Sequence, residues 1–202
     1  MSHSTQPPAL KRLVVGISGA SGVIHGIRLL QVAARLDGVE THLILSNAAK
    51  RTIELETDWT VAQVEELSDH RYRVNDIAAA IASGSFRASG MVVVPCSMKT
   101  LSGIANSYTD NLLIRAADVA LKDQRKLVLV PRETPMHLGH LRLLVRVAEM
   151  GAVIMPPMPA FYHRPESVQD IVDQTVNRIF DVLGVDLDED LFQRWEGPAG
   201  RS

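Results

Sequence analysis

Only one cysteine, Cys96, occurs in the 202 residues. A lone thiol cannot close an internal disulfide, so the fold is held without covalent staples and nothing points to an oxidising compartment. Excess charge is also lacking. Lys and Arg number 21 against 23 Asp and Glu, a formal net charge of -2. That excludes a global basic field for nucleic acid or an anionic membrane surface. Residues Met1 to Leu10 are polar and Pro-containing, without the apolar centre of a secretory leader. No apolar run approaches the roughly 20 residues of a membrane span. Internal repeats, low-complexity stretches and linkers are missing too. The expectation is a cytoplasmic enzyme without nucleic-acid or membrane partners. Its parts are a flexible extension over 1–10, one domain over 11–195 and a tail over 196–202.

What is present is an ordinary globular balance, 46% apolar and 22% charged, in a chain long enough to bury a real core. Short apolar runs rich in β-branched residues predict strands at 13–17, 41–45, 91–94, 127–130 and 152–155, the last three stopped by Pro95, Pro131 and Pro156. Val23, Ile24, Ile27, Leu30 and Ala34 mark a helix face after the first strand. Ser46-Asn47 caps a helix running to about residue 55. Short helices are expected near 61–67, 77–81 and 101–105, and longer ones at 111–121 and 138–150. The final helix is the clearest. Ser167 and Asp170 form a capping box, Val168, Ile171, Val172, Thr175, Ile179 and Val182 follow at helical spacing, and Gly184 ends it. Strands that are near-continuous apolar runs, alternating with helices, imply a three-layer Rossmann-like α/β fold with a parallel sheet covered on both faces.

Ligands of such sheets bind at the carboxyl ends of the strands, so the site is sought there. After the first strand comes Ser18-Gly19-Ala20-Ser21-Gly22. Its spacing is not G-x-G-x-x-G, and the second strand ends in Ser46 where a ribose-binding acid would stand. A nicotinamide dinucleotide is therefore excluded. A helix N-terminus with two hydroxyls suits a single phosphate. Ser97 and Thr100 repeat the theme after the third strand, although each alone reads as an ordinary cap. Cys96 beside them has no evident base and reads as a buried packing residue. Arg132-Glu133 pairs a cation and a carboxylate after the fourth strand. Lys122, at a helix end, reads as solvated, and Glu56 as part of an acidic helix end. Arg178 lies between inward-facing Thr175 and Ile179 and calls for an anionic partner. Tyr162, after the fifth strand, either donates to that anion or caps the core. Trp195 packs on a neighbouring subunit or over a planar ligand. His137 and His140 stand three apart with no third ligand, so no metal site is expected. These residues outline a pocket for FMN or a sugar phosphate with extra cations, without naming a reaction.

The ordered blocks Gly16-Ile17-Ser18-Gly19-Ala20-Ser21-Gly22, Leu55-Glu56-Thr57-Asp58, Pro95-Cys96-Ser97-Met98-Lys99-Thr100, Val130-Pro131-Arg132-Glu133-Thr134-Pro135 and Pro159-Ala160-Phe161-Tyr162-His163-Arg164-Pro165 resemble the UbiX flavin prenyltransferase family. The similarity runs from about Lys11 to Trp195. It implies a transferase that joins a dimethylallyl group from dimethylallyl monophosphate to N5 and C6 of reduced FMN. The prenylated flavin would serve a partner UbiD-type decarboxylase, as in ubiquinone biosynthesis. The resemblance places Ser18, Gly19, Ala20, Ser21 and Ser46 at the FMN phosphate region, and Ser97, Met98, Lys99, Thr100 and Arg132 along the flavin. Lys122, Arg132, Tyr162 and Arg178 would hold the prenyl phosphate. Glu56 and Glu133 would be the carboxylates beside the reacting centre. A metal-independent homo-oligomer, a dodecamer with sites at subunit interfaces, is implied as well. Alternatives are FMN-dependent decarboxylation of an aromatic acid or a peptidyl cysteine, and a non-enzymatic flavin carrier. The Pro-Cys-Ser-Met-Lys-Thr loop and the Arg132-Glu133 pair argue against the cysteine decarboxylases.

Overall fold

The structure, a computed structural model, describes residues 10–197. The expected extension over 1–10 lies outside them except for Leu10, and the tail over 196–202 outside them except for 196 and 197. Six parallel strands form one sheet in the order β3-β2-β1-β4-β5-β6. They are β1 (Lys11–Ile17), β2 (Val39–Leu45), β3 (His70–Arg73), β4 (Gly90–Cys96), β5 (Lys126–Pro131) and β6 (Val153–Ile154). The helices are α1 (Val23–Ala33), α2 (Asn47–Glu56), α3 (Val61–Glu66), α4 (Met98–Ala105), α5 (Leu112–Lys122), α6 (Leu138–Glu149) and α7 (Val168–Leu183). None of the described helices is long and apolar enough to cross a membrane.

Alternating side chains of β1, β2, β4 and β5 feed two cores, as a sheet covered on both faces requires. Leu13, Val15, Leu43, Val92 and Val128 pack under α1 and α7, where Ile27, Leu30, Val176 and Phe180 are buried. Val14, Ile44, Met91, Val93 and Leu127 pack under α4 and α5, against Leu101, Ile104, Leu113 and Ala117. Gly26 lets α1 lie directly on the sheet, because a Cβ there would stand 2.5 Å from the Val94 carbonyl oxygen. Arg28 of α1 forks onto Asp173 of α7 at 2.6 and 3.2 Å, tying the two helices on that face.

Three expectations are corrected. Strand β3 was not anticipated. Its His70-Arg71-Tyr72-Arg73 sequence has no buried residue and so no apolar signal. The edge strand is tethered by Asp69, whose carboxylate accepts from the Thr41 amide at 2.8 Å and its hydroxyl at 2.9 Å. Pro95 and Pro131 do not stop their strands; β4 and β5 run through them. At a strand's last residues the missing N–H costs little, and the Pro95 carbonyl still accepts from the Ser18 amide at 3.1 Å. The helix expected at 77–81 is only one 3₁₀ turn, Ala80–Ala82. The capping box and Gly184 terminus of α7 are as expected.

Candidate active site

Chain connections run outward in both directions from β1, so the crevice falls where β1 meets β4. There the rim is sewn together by polar contacts. Ser46 donates its amide to the Ile17 carbonyl at 3.0 Å, and Arg132 donates its amide to Cys96 at 3.2 Å. Between them, the Ser18 hydroxyl donates to the Pro95 carbonyl at 3.0 Å and accepts from the Ser97 amide at 2.7 Å. These contacts hold the carboxyl ends of β2, β1, β4 and β5 as one ledge. Ser18 is fully buried in it. Its hydroxyl donates on one side and accepts on the other, so within this chain Ser18 shapes the rim.

A cavity of about 210 Å³ opens on that ledge, with Gly19, Ser46, Ser97, Lys99 and Thr100 in its wall. Two helices start there. Ser46 accepts from the Ala49 amide and caps α2; Ser97 accepts from the Thr100 amide and caps α4. Among the described residues the amides of Asn47, Ala48, Met98 and Lys99 have no partner, so two helix N-termini direct free N–H groups toward one space. Gly19 is required by close approach: a Cβ there would fall 2.2 Å from the Ala48 Cβ. Gly22, at φ 93°, caps α1 in the left-handed region and donates its amide to Glu56 at 2.8 Å. Glu56 thus reaches back from the end of α2 to the first turn. Ala20 and Ser21 lie in that turn, half-buried, and Met98 is half-buried at the first position of α4.

The cavity also has a side that the sequence did not disclose. Val74, Asn75, Asp110 and Asn111 line it. Val74 and Asn75 follow β3, so reading β3 as a strand would have placed them at the rim. Asn111 caps α5 by accepting from the Ile114 amide at 3.1 Å. A second hollow of about 480 Å³ shares Lys99, Asp110 and Ile114 with the first and extends it along α4 toward Tyr108. Backbone amides, hydroxyls, a lysine and a narrow glycine approach suit a phosphorylated, planar ligand such as FMN.

Of the cation group, only Arg132 belongs to this ledge. It is exposed, and Glu133 beside it accepts from the Thr134 amide at 3.0 Å. Lys122 is elsewhere. It ends α5, about 16 Å along the axis from the cavity-lining Asn111. It lies by Gly84 and Asp123 at the level where Lys126 opens β5, at the amino edge of the sheet. Arg178 is exposed rather than set against the apolar face, and pairs with Asp181 at 2.8 Å. It lies in the half of α7 that descends to Gly184, whose carbonyl meets Lys11 at the start of β1. Tyr162, between β6 and α7, packs edge-to-face on Phe192 and Trp195 at 6.4 and 5.9 Å. One chain therefore does not gather Lys122 and Arg178 on the rim that carries Arg132.

Other candidates are absorbed by the fold. Cys96 is buried, and burial pushes its thiol up to about 12, so it is neutral and inert near pH 7. His137 caps α6 through Nδ1 and packs on His140 at 3.6 Å between ring centres. Glu40, His42 and His70 bring ligand-type atoms within 4.8 Å of one another. These donors already serve each other and the surrounding side chains. Arg12 Nε and His42 Nε2 each lie 2.9 Å from Glu40 Oε1, and His42 Nδ1 lies 3.0 Å from the Tyr72 hydroxyl.

Residues 1–180 match the Flavoprotein family. The flavin prenyltransferase UbiX of Escherichia coli (strain K12) is 61% identical over 188 residues, covering 93% of this chain and 100% of the relative. Two crystal structures share the fold over 93% of this chain. One is AnUbiX (PadA1) in complex with FMN and dimethylallyl pyrophosphate, at a TM-score of 0.90, 48% identity and 98% coverage of that chain. The other is a dodecameric FMN-dependent Ubix-like decarboxylase from Escherichia coli O157:H7, at 0.88, 49% and 100%.

Proposed function

We propose, on the premise that this chain belongs to the Flavoprotein family and within it to the UbiX flavin prenyltransferases, that it transfers a dimethylallyl group from dimethylallyl monophosphate to N5 and C6 of reduced FMN. The carrying observation is the ledge. Gly19, Ser46, Ser97, Lys99 and Thr100 surround one cavity at the sheet's switch point, with open amides of α2 and α4 beside them. FMN, bound and reduced, supplies the nucleophilic ring positions.

The chain's own residues supply the rest. Gly19, Ala20, Ser21 and Ser46 take the flavin phosphate on the helix N-termini. Ser97, Met98, Lys99 and Thr100 lie along the ring, and Arg132 contacts it from just past the end of β5. Departure of the prenyl phosphate leaves negative charge on oxygen. Fixed cations aimed at that charge lower the barrier most effectively in a site closed to water. Arg132, Lys122 and Arg178 fill that role, and the Tyr162 hydroxyl adds a neutral hydrogen-bond donor. Because Lys122 and Arg178 stand away from the rim of their own chain, neighbouring subunits of a homo-oligomer, a dodecamer on this reading, supply them. Glu133 and Glu56, with the retained phosphate, are the acceptors for the proton that C6 must lose. The product goes to a UbiD-type decarboxylase.

The test is anaerobic incubation of the purified protein with reduced FMN and dimethylallyl monophosphate, followed by mass analysis of the bound flavin. The expected result is a gain of one dimethylallyl unit. An unchanged mass with FMN still bound makes the protein a flavin carrier. Release of carbon dioxide from a hydroxybenzoate by this chain alone makes it a decarboxylase.

A further inference from the structure

The last described residues form a network that the reaction scheme above leaves unused. Arg194 reaches both Asp181 oxygens, at 2.8 and 2.9 Å, and both Asp190 oxygens, at 2.5 Å each. Asp181 is the same carboxylate that accepts from Arg178. The residue after Arg194 is Trp195, whose ring packs against Tyr162. The short stretch 190–195 therefore touches Arg178 through Asp181, and Tyr162 through Trp195. The segment is pinned by a further contact, in which the Leu191 amide donates to Asn177 Oδ1 at 2.7 Å.

We propose that Arg194 is a positioning residue for the prenyl-phosphate site. By holding both Asp181 and Asp190, it keeps the cluster neutral and lets Arg178 turn its unbonded N–H donors to the phosphate. This inference rests on the reading that Arg178 binds that phosphate. Without Arg194, Arg178 alone would face the Asp181 and Asp190 carboxylates, leaving a net negative cluster beside a dianionic substrate, and the local field would turn against binding. With Arg194 in place, two cations balance the Asp181 and Asp190 carboxylates, and Arg178, which spends one N–H on Asp181, keeps its remaining N–H donors for the ligand. Asp181 is held below the usual carboxylate range by the Arg194 hydrogen bonds first and by Arg178 less. Arg194 is thus the principal partner and Arg178 the one free to turn. Exposed ion pairs of this kind add little to folding stability, so the network's effect falls on substrate affinity.

Steady-state kinetics against dimethylallyl monophosphate, with FMN titration and melting curves on each variant, test this. Arg194→Ala should raise KM for the prenyl phosphate about tenfold and lower kcat/KM by at least as much, with FMN affinity and melting temperature little changed. Arg194→Lys should recover part of the loss. Adding Asp181→Asn to Arg194→Ala should restore most of it, because the uncompensated charge goes while an acceptor for Arg178 stays. The proposal is overturned if Arg178→Ala raises KM and Arg194→Ala does not. It is also overturned if Arg194→Ala lowers kcat and FMN affinity together and the double variant is no better. If Arg178→Ala itself leaves KM unchanged, the phosphate role of Arg178 fails, and this inference with it.

Discussion

At the level of single residues, the tightest constraint on the site is steric. Gly19 has no room for a side chain because the Ala48 methyl stands where its Cβ would go. Gly19→Ala must push the first turn away from α2, at a cost of about 1–3 kcal/mol for overpacking. FMN titration should show weakened binding, and the Gly19→Ala/Ala48→Gly pair should recover much of it. Recovery failing while the protein stays folded would mean that Gly19 matters for some other reason. Cys96 makes a different prediction. Its thiol is raised from 9.0 to about 12 by burial, so the folded state holds a proton that the unfolded state releases above about pH 9. The folded state binds more protons in that window, so stability is intact below it and falls as pH climbs toward 12, by on the order of 3–4 kcal/mol. Urea unfolding at stepped alkaline pH should show this slope, and Cys96→Ala should flatten it. Glu133→Gln should keep FMN bound while turnover falls on the order of 10²-fold, as for removal of a general base; undiminished turnover would take Glu133 out of the reaction.

Among the elements, what could be read in advance was what burial writes into sequence. Five strands, the starts of α2, α4 and α7, and the glycine stop of α7 each carry a local signal: an apolar run, a capping hydroxyl, a left-handed terminus. Strand β3 carries none, because it lies at the sheet edge where no side chain needs to be apolar. Missing it hid Val74 and Asn75 from the site. The prolines misled for the opposite reason: they do break central strands, but Pro95 and Pro131 occur where the ladder is already ending. Ser18 shows a third limit. Its hydroxyl was legible as a polar group near a phosphate turn, whereas its burial between β1 and β4 depends on sheet order. The edge strand supports a prediction of its own. Burial alone would raise Asp69, but the Thr41 hydrogen bonds hold it below the ordinary value. Its contribution is therefore present above pH 4 or so and lost as the carboxylate protonates on acidification. Asp69→Ala should increase hydrogen exchange of the 70–73 amides about tenfold while β4 stays protected. Uniform loss of protection would mean that the tether stabilises the whole sheet.

Across the whole molecule, the distribution of cations is the feature that sequence order cannot reveal. Arg132 sits on the carboxyl rim, Lys122 beside the amino edge and Arg178 in the lower half of α7. A helix of eleven residues keeps Lys122 about 16 Å from the rim of its own chain, beyond the reach of any lysine side chain toward a phosphate at that rim. If Lys122 acts, it acts on a neighbour's substrate, and the smallest functional unit is an assembly. Closed symmetry makes such sharing reciprocal, since every chain both lends and receives. Complementation tests this directly. Lys122→Ala and Glu133→Gln chains, each strongly impaired alone at sub-saturating prenyl phosphate, should form mixed oligomers on co-expression. In these, some sites take Glu133 from one chain and Lys122 from the other. Random pairing leaves about a quarter of the sites intact, so mixed preparations should recover roughly that share of wild-type activity. Activity no higher than that of the single variants, in oligomers shown by mass to be mixed, would place both residues in the site of one chain or remove Lys122 from the chemistry.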